Sequence, residues 1–383
     1  MKRLWILFIL VCLPAPAVSA GNIHVGSLEI HPFVSLTETY DDNIFAAATD
    51  TREDWITTTT PGIKLLMPFR MHSFAAEYKA VINNYADYSS EDTTDHHAGV
   101  LADFKFGSLI GLKLRDAYVK GHEMRASSAA GEIEKYDKNA ASAALSYQFA
   151  DRFKVEAGYT RTDWDFTRND NQYRNRQEDL IAAYLYYRFL PKTSAFIEYD
   201  FKNVDFEQKL NGLDNKVHSP LLGLTWEISE STKGTVKGGY LQKDFEASGM
   251  DGIDTWTASA DLNHAFSDYS SLKIVGLRDV NESNAEGARY FVTTGAFAEY
   301  THKLAYKVSA VARGSYGVDD YSNAIGTDPG RHDRTILGGV GLKYQMRDWL
   351  EFALNYNHID RDSNIDIRDL IDNTYSLTVI FAL

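Results

Sequence analysis

The connections of this chain follow a two-beat rhythm, and few folds can accommodate it. Strand-like runs of about ten residues or more are joined alternately by very short and by long polar segments. The short joints fall near Phe69-Arg70-Met71, Phe106-Gly107-Ser108, Ala150-Asp151-Arg152, Leu190-Pro191-Lys192, Ser229-Glu230-Ser231, Ser267-Asp268, Lys303-Leu304 and Arg347-Asp348. The long ones are rich in Asp, Asn, Gly and Ser, as in Asp41 to Asp54, Ser89 to Asp95, Glu123 to Lys135, Phe166 to Asn175, Glu246 to Gly252, Gly317 to Arg331 and Asp360 to Asn373. A soluble sandwich has shorter strands and no such asymmetry. Lipid offers an open sheet edge no hydrogen-bond partner, so a sheet that crosses a bilayer must close on itself. Tight turns on one side and long loops on the other are its signature.

Eighteen runs can be counted, at 30–40, 55–68, 72–88, 95–106, 108–122, 136–149, 153–165, 176–189, 194–206, 215–228, 232–244, 254–266, 271–280, 290–302, 306–316, 332–346, 350–359 and 374–383. The expected fold is all-β, a transmembrane antiparallel β-barrel of about 18 strands. Boundary shifts of a few residues allow 16–20. The even count puts both termini on the periplasmic side and lets the first strand pair with the last.

Faces alternate as such a wall demands. Phe153, Val155, Ala157 and Tyr159 oppose Lys154, Glu156, Gly158 and Thr160. Ala195, Ile197, Tyr199 and Phe201 oppose Ser194, Glu198, Asp200 and Lys202, with Phe196 as an inward exception. Leu350, Phe352, Leu354 and Tyr356 oppose Glu351, Ala353, Asn355 and Asn357. A charge facing lipid near the midplane costs roughly 2–4 kcal/mol, so charged strand positions mark the lumen. The candidate pore-lining residues are Glu77, Lys79, Asp103, Lys105, Lys113, Arg115, Lys154, Glu156, Arg188, Glu198, Asp200, Lys202, Lys237, Arg313, Lys343 and Glu351. They suit either a channel that selects solutes or a wall stiffened by cross-strand ion pairs. Pro61 and Pro220 fall within strands and are expected at bulges or strand ends. Asp116 lands on the lipid side and calls for a bulge or the outer rim.

The first twenty residues read as a secretory leader: basic Lys2 and Arg3, an apolar Leu4 to Leu13, and Val18-Ser19-Ala20 for cleavage. Residues 21–383 then form one barrel domain. Cleavage removes Cys12, the only cysteine, so neither disulfides nor a thiolate metal site are expected. The 37 remaining basic residues against 53 acidic ones leave a formal −16, which argues against nucleic acid. The 23 Tyr and 20 Phe suit half-buried strands, and aromatics precede many tight turns, as an interfacial girdle would.

Catalysis is not expected. There is no HExxH, GxSxG or phosphate-binding glycine loop. His96 and His97, adjacent in a strand, point to opposite faces and make a poor chelate. The acidic Asp50-Thr-Arg-Glu-Asp54 has no EF-hand spacing and reads as a solvated outer loop. No cofactor and no metal are expected.

The closing stretch places Tyr375, Leu377, Val379, Phe381 and Leu383 on one face. This makes it the seam partner of Glu29 to Tyr40 and the candidate signal for the barrel-assembly machinery. That machinery typically reads a terminal aromatic, whereas here Leu383 is last and Phe381 lies two positions earlier.

Pro32-Phe-Val-Ser-Leu-Thr-Glu-Thr-Tyr-Asp-Asp-Asn-Ile-Phe45, followed by Asp54-Trp-Ile and Thr60-Pro-Gly-Ile63, resembles the opening of the family called Putative beta-barrel porin 2. The resemblance implies a Gram-negative outer-membrane barrel, reached through the secretory pathway and associated with exopolysaccharide synthesis and export. It supplies no catalytic residues. The expected function is passage of hydrophilic solutes, with polysaccharide export as its narrower form. Lys154, Glu198, Tyr184 and Tyr186 are candidate sugar contacts, although lumen charges of both signs weaken an acidic polymer as cargo. The alternative is a plugged barrel that sheathes or anchors a surface assembly or a cytochrome. Expected partners are outer-membrane lipid and lipopolysaccharide, the assembly machinery, polysaccharide and periplasmic export components. No helical-repeat periplasmic domain is expected, so any scaffold would be another protein.

Overall fold

The computed structural model describes residues 23–123, 125, 133–167, 172–209, 212–229, 231–283, 288–322 and 330–383. The expected leader, residues 1–20, lies outside them, as do parts of the connections 123–135, 166–175 and 317–331. A short strand β1 (Ile23–Val25) precedes eighteen long ones. These are β2 (Leu28–Asp41), β3 (Asp54–Phe69), β4 (His72–Tyr85), β5 (Thr93–Phe106), β6 (Ile110–Glu123), β7 (Glu134–Phe149), β8 (Phe153–Phe166), β9 (Arg176–Leu190) and β10 (Thr193–Phe206). β11 (Asn215–Ser229), β12 (Thr232–Phe245), β13 (Ile253–Ser267), β14 (Ser270–Glu282), β15 (Tyr290–Ala305), β16 (Val308–Tyr321), β17 (His332–Arg347), β18 (Leu350–Ser363) and β19 (Leu370–Ala382) complete the set.

Each long strand pairs antiparallel with the next, and β19 returns to β2. The seam runs from Thr374↔Asp41 to Ala382↔Phe33, and Leu383 N donates to Pro32 O at 3.1 Å. Closure removes the edge that lipid could not satisfy. Among the described residues, 3₁₀ turns cross the long-loop side at Ser89–Glu91, Gln172–Arg174 and Asp366–Arg368.

The two faces separate by burial. On β10, Ile197 and Tyr199 are 56% and 46% exposed, while Glu198 and Asp200 are buried. On β19, Tyr375, Leu377 and Phe381 point outward, and Thr378 and Ile380 are buried inward. Trp349 stacks on Phe381 at 6.3 Å, at the short-turn end where aromatics form the inner girdle.

The two prolines are not at bulges or strand ends. Pro61 lies inside β3 and Pro220 inside β11. The register is the same on both sides of each, with Thr59↔Ile82 and Gly62↔Lys79 for one, His218↔Gln242 and Leu221↔Gly239 for the other. Each proline withholds its donor from one ladder, and the register does not slip. On the neighbouring strand, a Cβ on Gly239, the partner of Leu221, would overlap the Pro220 carbonyl, so only glycine fits. Asp116 needs no bulge either. It pairs in register with Val100 and Ala141, faces outward one position below Tyr118, and has Asn139 Nδ2 3.5 Å from its carboxylate.

Phe196, the inward exception, lies over Gly223 of the neighbouring strand, where a Cβ would overlap its ring. An aromatic covering a strand glycine fixes register and fills the space the glycine leaves. Gly223→Val is therefore expected to destabilise the barrel by about 1–3 kcal/mol through overpacking. A lowered midpoint in the heat-modifiability shift on gels would register it, and an unchanged midpoint would show that the ring is free to move.

Candidate functional site

Following the register round the sheet places all sixteen sequence-predicted residues on the inner face. The path runs through Lys64↔Glu77, Asp103↔Lys113, Gln148↔Lys154, Tyr184↔Glu198, Gly223↔Lys237, Glu299↔Arg313 and Gln345↔Glu351. The inner wall is not uniform.

One side is filled. Lys237 Nζ lies 2.7 and 2.8 Å from the two oxygens of Glu198, and Tyr184 Oη donates to the same carboxylate at 2.9 Å. Lys154 pairs with Glu156 at 3.0 Å and sits 4.1 Å over the Tyr186 ring. Tyr186 itself is only 4% exposed, stacked on Tyr184 and tilted against Phe196. That packing removes it as an open stacking platform for a sugar. Arg188 donates to Asp151 O, and Arg313 pairs with Glu299 at 2.9 Å. A cavity of 1010 Å³ lies against this wall, lined among others by Arg188, Ser194, Asp200, Lys237, Asp261 and Asn263.

The other side is open. Glu77, Lys79, Asp103, Lys105, Lys113, Arg115, Lys343 and Glu351 have no ion pair within 4 Å among the described residues. Five of these eight are basic. Lys64, which faces Glu77 across the ladder, adds a sixth cation. The apparent balance of signs in the sequence is thus misleading. Pairing neutralises much of one wall, and among these residues of the other wall cations outnumber acids, although the whole chain is −14.

The long-loop mouth is tied by charges that mostly escaped the sequence reading. Arg174 makes a bidentate contact with Glu123 at 2.7 and 3.1 Å and lies 4.0 Å over Phe166. Arg125 does the same with Glu91, at 2.6 Å on each arm, and sits 4.8 Å over Phe45. Arg176 pairs with Glu178 at 2.9 Å. Arginine's planar fork suits such sites. Two of these arginines lie in loops, where alternation gives no signal. Lys243, by contrast, could have been found by stepping in twos from Lys237. Burial, then the charge of Arg331, lowers the Arg368 guanidinium from its ordinary value. An arginine remains charged at neutral pH regardless, so Arg368 itself does not switch there.

Asp54 is not part of a solvated loop. It is buried, and its carboxylate accepts from the backbone of Trp55, Asp87 and Tyr88 at 2.7, 3.1 and 3.1 Å. Asp41, Asp42 and Asp372 bring carboxylate oxygens within 4.8 Å of one another at the seam. Asn373 donates to both oxygens of Asp42, at 2.7 and 2.8 Å. His96 and His97 divide as expected: His96 meets Tyr78 Oη at 2.8 Å on the outside, and His97 is in register with Lys79 on the inside.

The sequence profile of the family described as Putative beta-barrel porin 2 matches residues 16–383. No curated protein matches the chain. Among solved structures, OccK2 (OpdF) of Pseudomonas aeruginosa, determined in complex with glucuronate, superposes with a TM-score of 0.51 at 12% identity, covering 93% of this chain and 98% of that one. OccAB4 of Acinetobacter baumannii gives 0.49 at 12% identity, over 92% and 98%. At such identity, the OccK2 likeness supports the fold alone.

Proposed function

This chain belongs to the Putative beta-barrel porin 2 family, an outer-membrane β-barrel channel for solutes, and we propose that it favours anionic hydrophilic ones, acidic saccharides among them. The observation that supports this is the open wall of Lys64, Lys79, Lys105, Lys113, Arg115 and Lys343, lumen-facing cations with no ion pair within 4 Å among the described residues. In a confined passage such charges raise the local anion concentration and lower the entry barrier. Outer-membrane passage of an acidic exopolysaccharide is the narrower form of the proposal. Export through the leader and insertion by the assembly machinery complete it. No residue here is assigned to catalysis.

The test is a reversal-potential measurement across a salt gradient. The wild type is expected to prefer chloride over potassium. Replacing Lys64, Lys79, Lys105, Lys113 and Arg115 together with glutamine is expected to abolish or invert that preference. Equal permeability in both proteins would sink the anion reading while leaving a channel. The second reading, a plugged barrel that anchors a partner, draws its support from the filled β8–β12 wall.

A further inference from the structure

The outer ends of β13 and β14 diverge. Their ladder stops at Ala258↔Arg278, although β13 continues to Ile253 and β14 to Glu282. β14 and β15 remain paired as far as Glu282↔Tyr290, so they leave β13 together. They cross to the inner face of β10–β12. There Glu282 Oε1 lies 2.6 Å from Lys243 Nζ and 3.9 Å from Lys202 Nζ, and Oε2 accepts from Asn215 Nδ2 at 3.2 Å. The Lys243 and Glu282 side chains are 1% and 3% exposed. Val280 and Val292 are buried with Val217 and Leu241. At the divergence, side chains replace ladder bonds: Thr257 Oγ1 donates to Arg278 O at 2.7 Å, and Arg278 Nη1 donates to Trp256 O at 3.0 Å.

The same residues fit a second arrangement. Extending the register beyond Ala258↔Arg278 sets Thr257 opposite Asp279, Trp256 opposite Val280 and Asp254 opposite Glu282. Alternation then turns Asp279 and Asn281 to the lumen, and Val280 with its partner Val292 to the lipid side beside Trp256. Except for Glu282, which falls beside Asp254 at the outer rim of the lipid face, polar groups meet water and aliphatic ones meet lipid, so the straight wall is nearly as well patterned as the bent one. Two packings of comparable quality are what a switching element needs. The like charges of Asp254 and Glu282 disfavour the straight form, and the Lys243–Glu282 pair favours the bent one.

We propose that the outer ends of β14 and β15 are the constriction of this channel, latched by Lys243–Glu282, and that release of the latch straightens them into the wall and widens the passage. This rests on the barrel being a conducting channel. The test is single-channel recording of the full barrel in three variants. Lys243→Met/Glu282→Gln removes the latch without leaving a lone buried charge, and its conductance is expected to rise roughly twofold or more. Trp256→Cys/Val280→Cys joins register partners of the straight form and is expected to cross-link on oxidation with the same rise. Val217→Cys/Val280→Cys, once oxidised, is expected to hold the lower, wild-type level. A Trp256→Cys/Val280→Cys pair that never cross-links, together with wild-type conductance in the latch variant, would overturn the constriction. Silence of the wild type and all variants would instead overturn the channel reading beneath it.

Discussion

Replacing Lys237 with methionine is expected to cost the barrel about 3–5 kcal/mol, because it strands a buried carboxylate. Glu198 is fully buried, with Lys237 Nζ 2.7 Å away and the Tyr184 hydroxyl donating to the same carboxylate. A charge without its counterion in that setting loses far more than a surface ion pair would supply. The comparison that isolates the effect is Lys237→Met/Glu198→Leu. Removing both charges leaves an apolar patch of similar volume and is expected to recover most of the loss. Urea unfolding in a fixed lipid or detergent system, followed by tryptophan fluorescence, measures both. If the single variant is as stable as the wild type, the lumen at Glu198 is wet enough to solvate the charge, and the filled wall is not filled.

The second large effect concerns assembly. Phe381→Asp is expected to reduce the folded, membrane-inserted barrel to near background. Phe381 faces outward on the closing strand, stacks with Trp349 and pairs across the sheet with Leu350 and Val34. Near an interface, an aspartate costs only a fraction of what it would cost at the midplane. Stability alone would therefore predict a mild defect. Near-complete loss is expected from the proposal that the assembly machinery reads this face, on which Phe381 is the last aromatic. Membrane fractionation with heat modifiability separates the two. Normal insertion of Phe381→Asp would remove this strand from the assembly signal.

Most of the architecture was legible because a membrane wall has a hard periodicity. Any charge on the lipid face is penalised, so positions such as Lys154, Glu198 and Lys237 declare their side, and the strand number follows from the turns. What escaped the sequence lies where that penalty stops. Arg174 and Arg125 sit on loops, with no alternation to place them. Asp54 looked like one more loop acid, and only the fold brings the amides of Asp87 and Tyr88 to it. The inward turn of Val280 and Glu282 was invisible for a different reason, since the local pattern suits a straight strand nearly as well. Pro61 and Pro220 misled because a single missing donor was read as a break, whereas long ladders on both sides hold the register.

Planar-bilayer recording of the purified wild-type barrel tests most directly whether the lumen is an open, charged passage. Stable unitary steps, with a reversal potential displaced toward that of the anion in a salt gradient, are the predicted result. A correctly folded barrel that shows no openings at any voltage would contradict it.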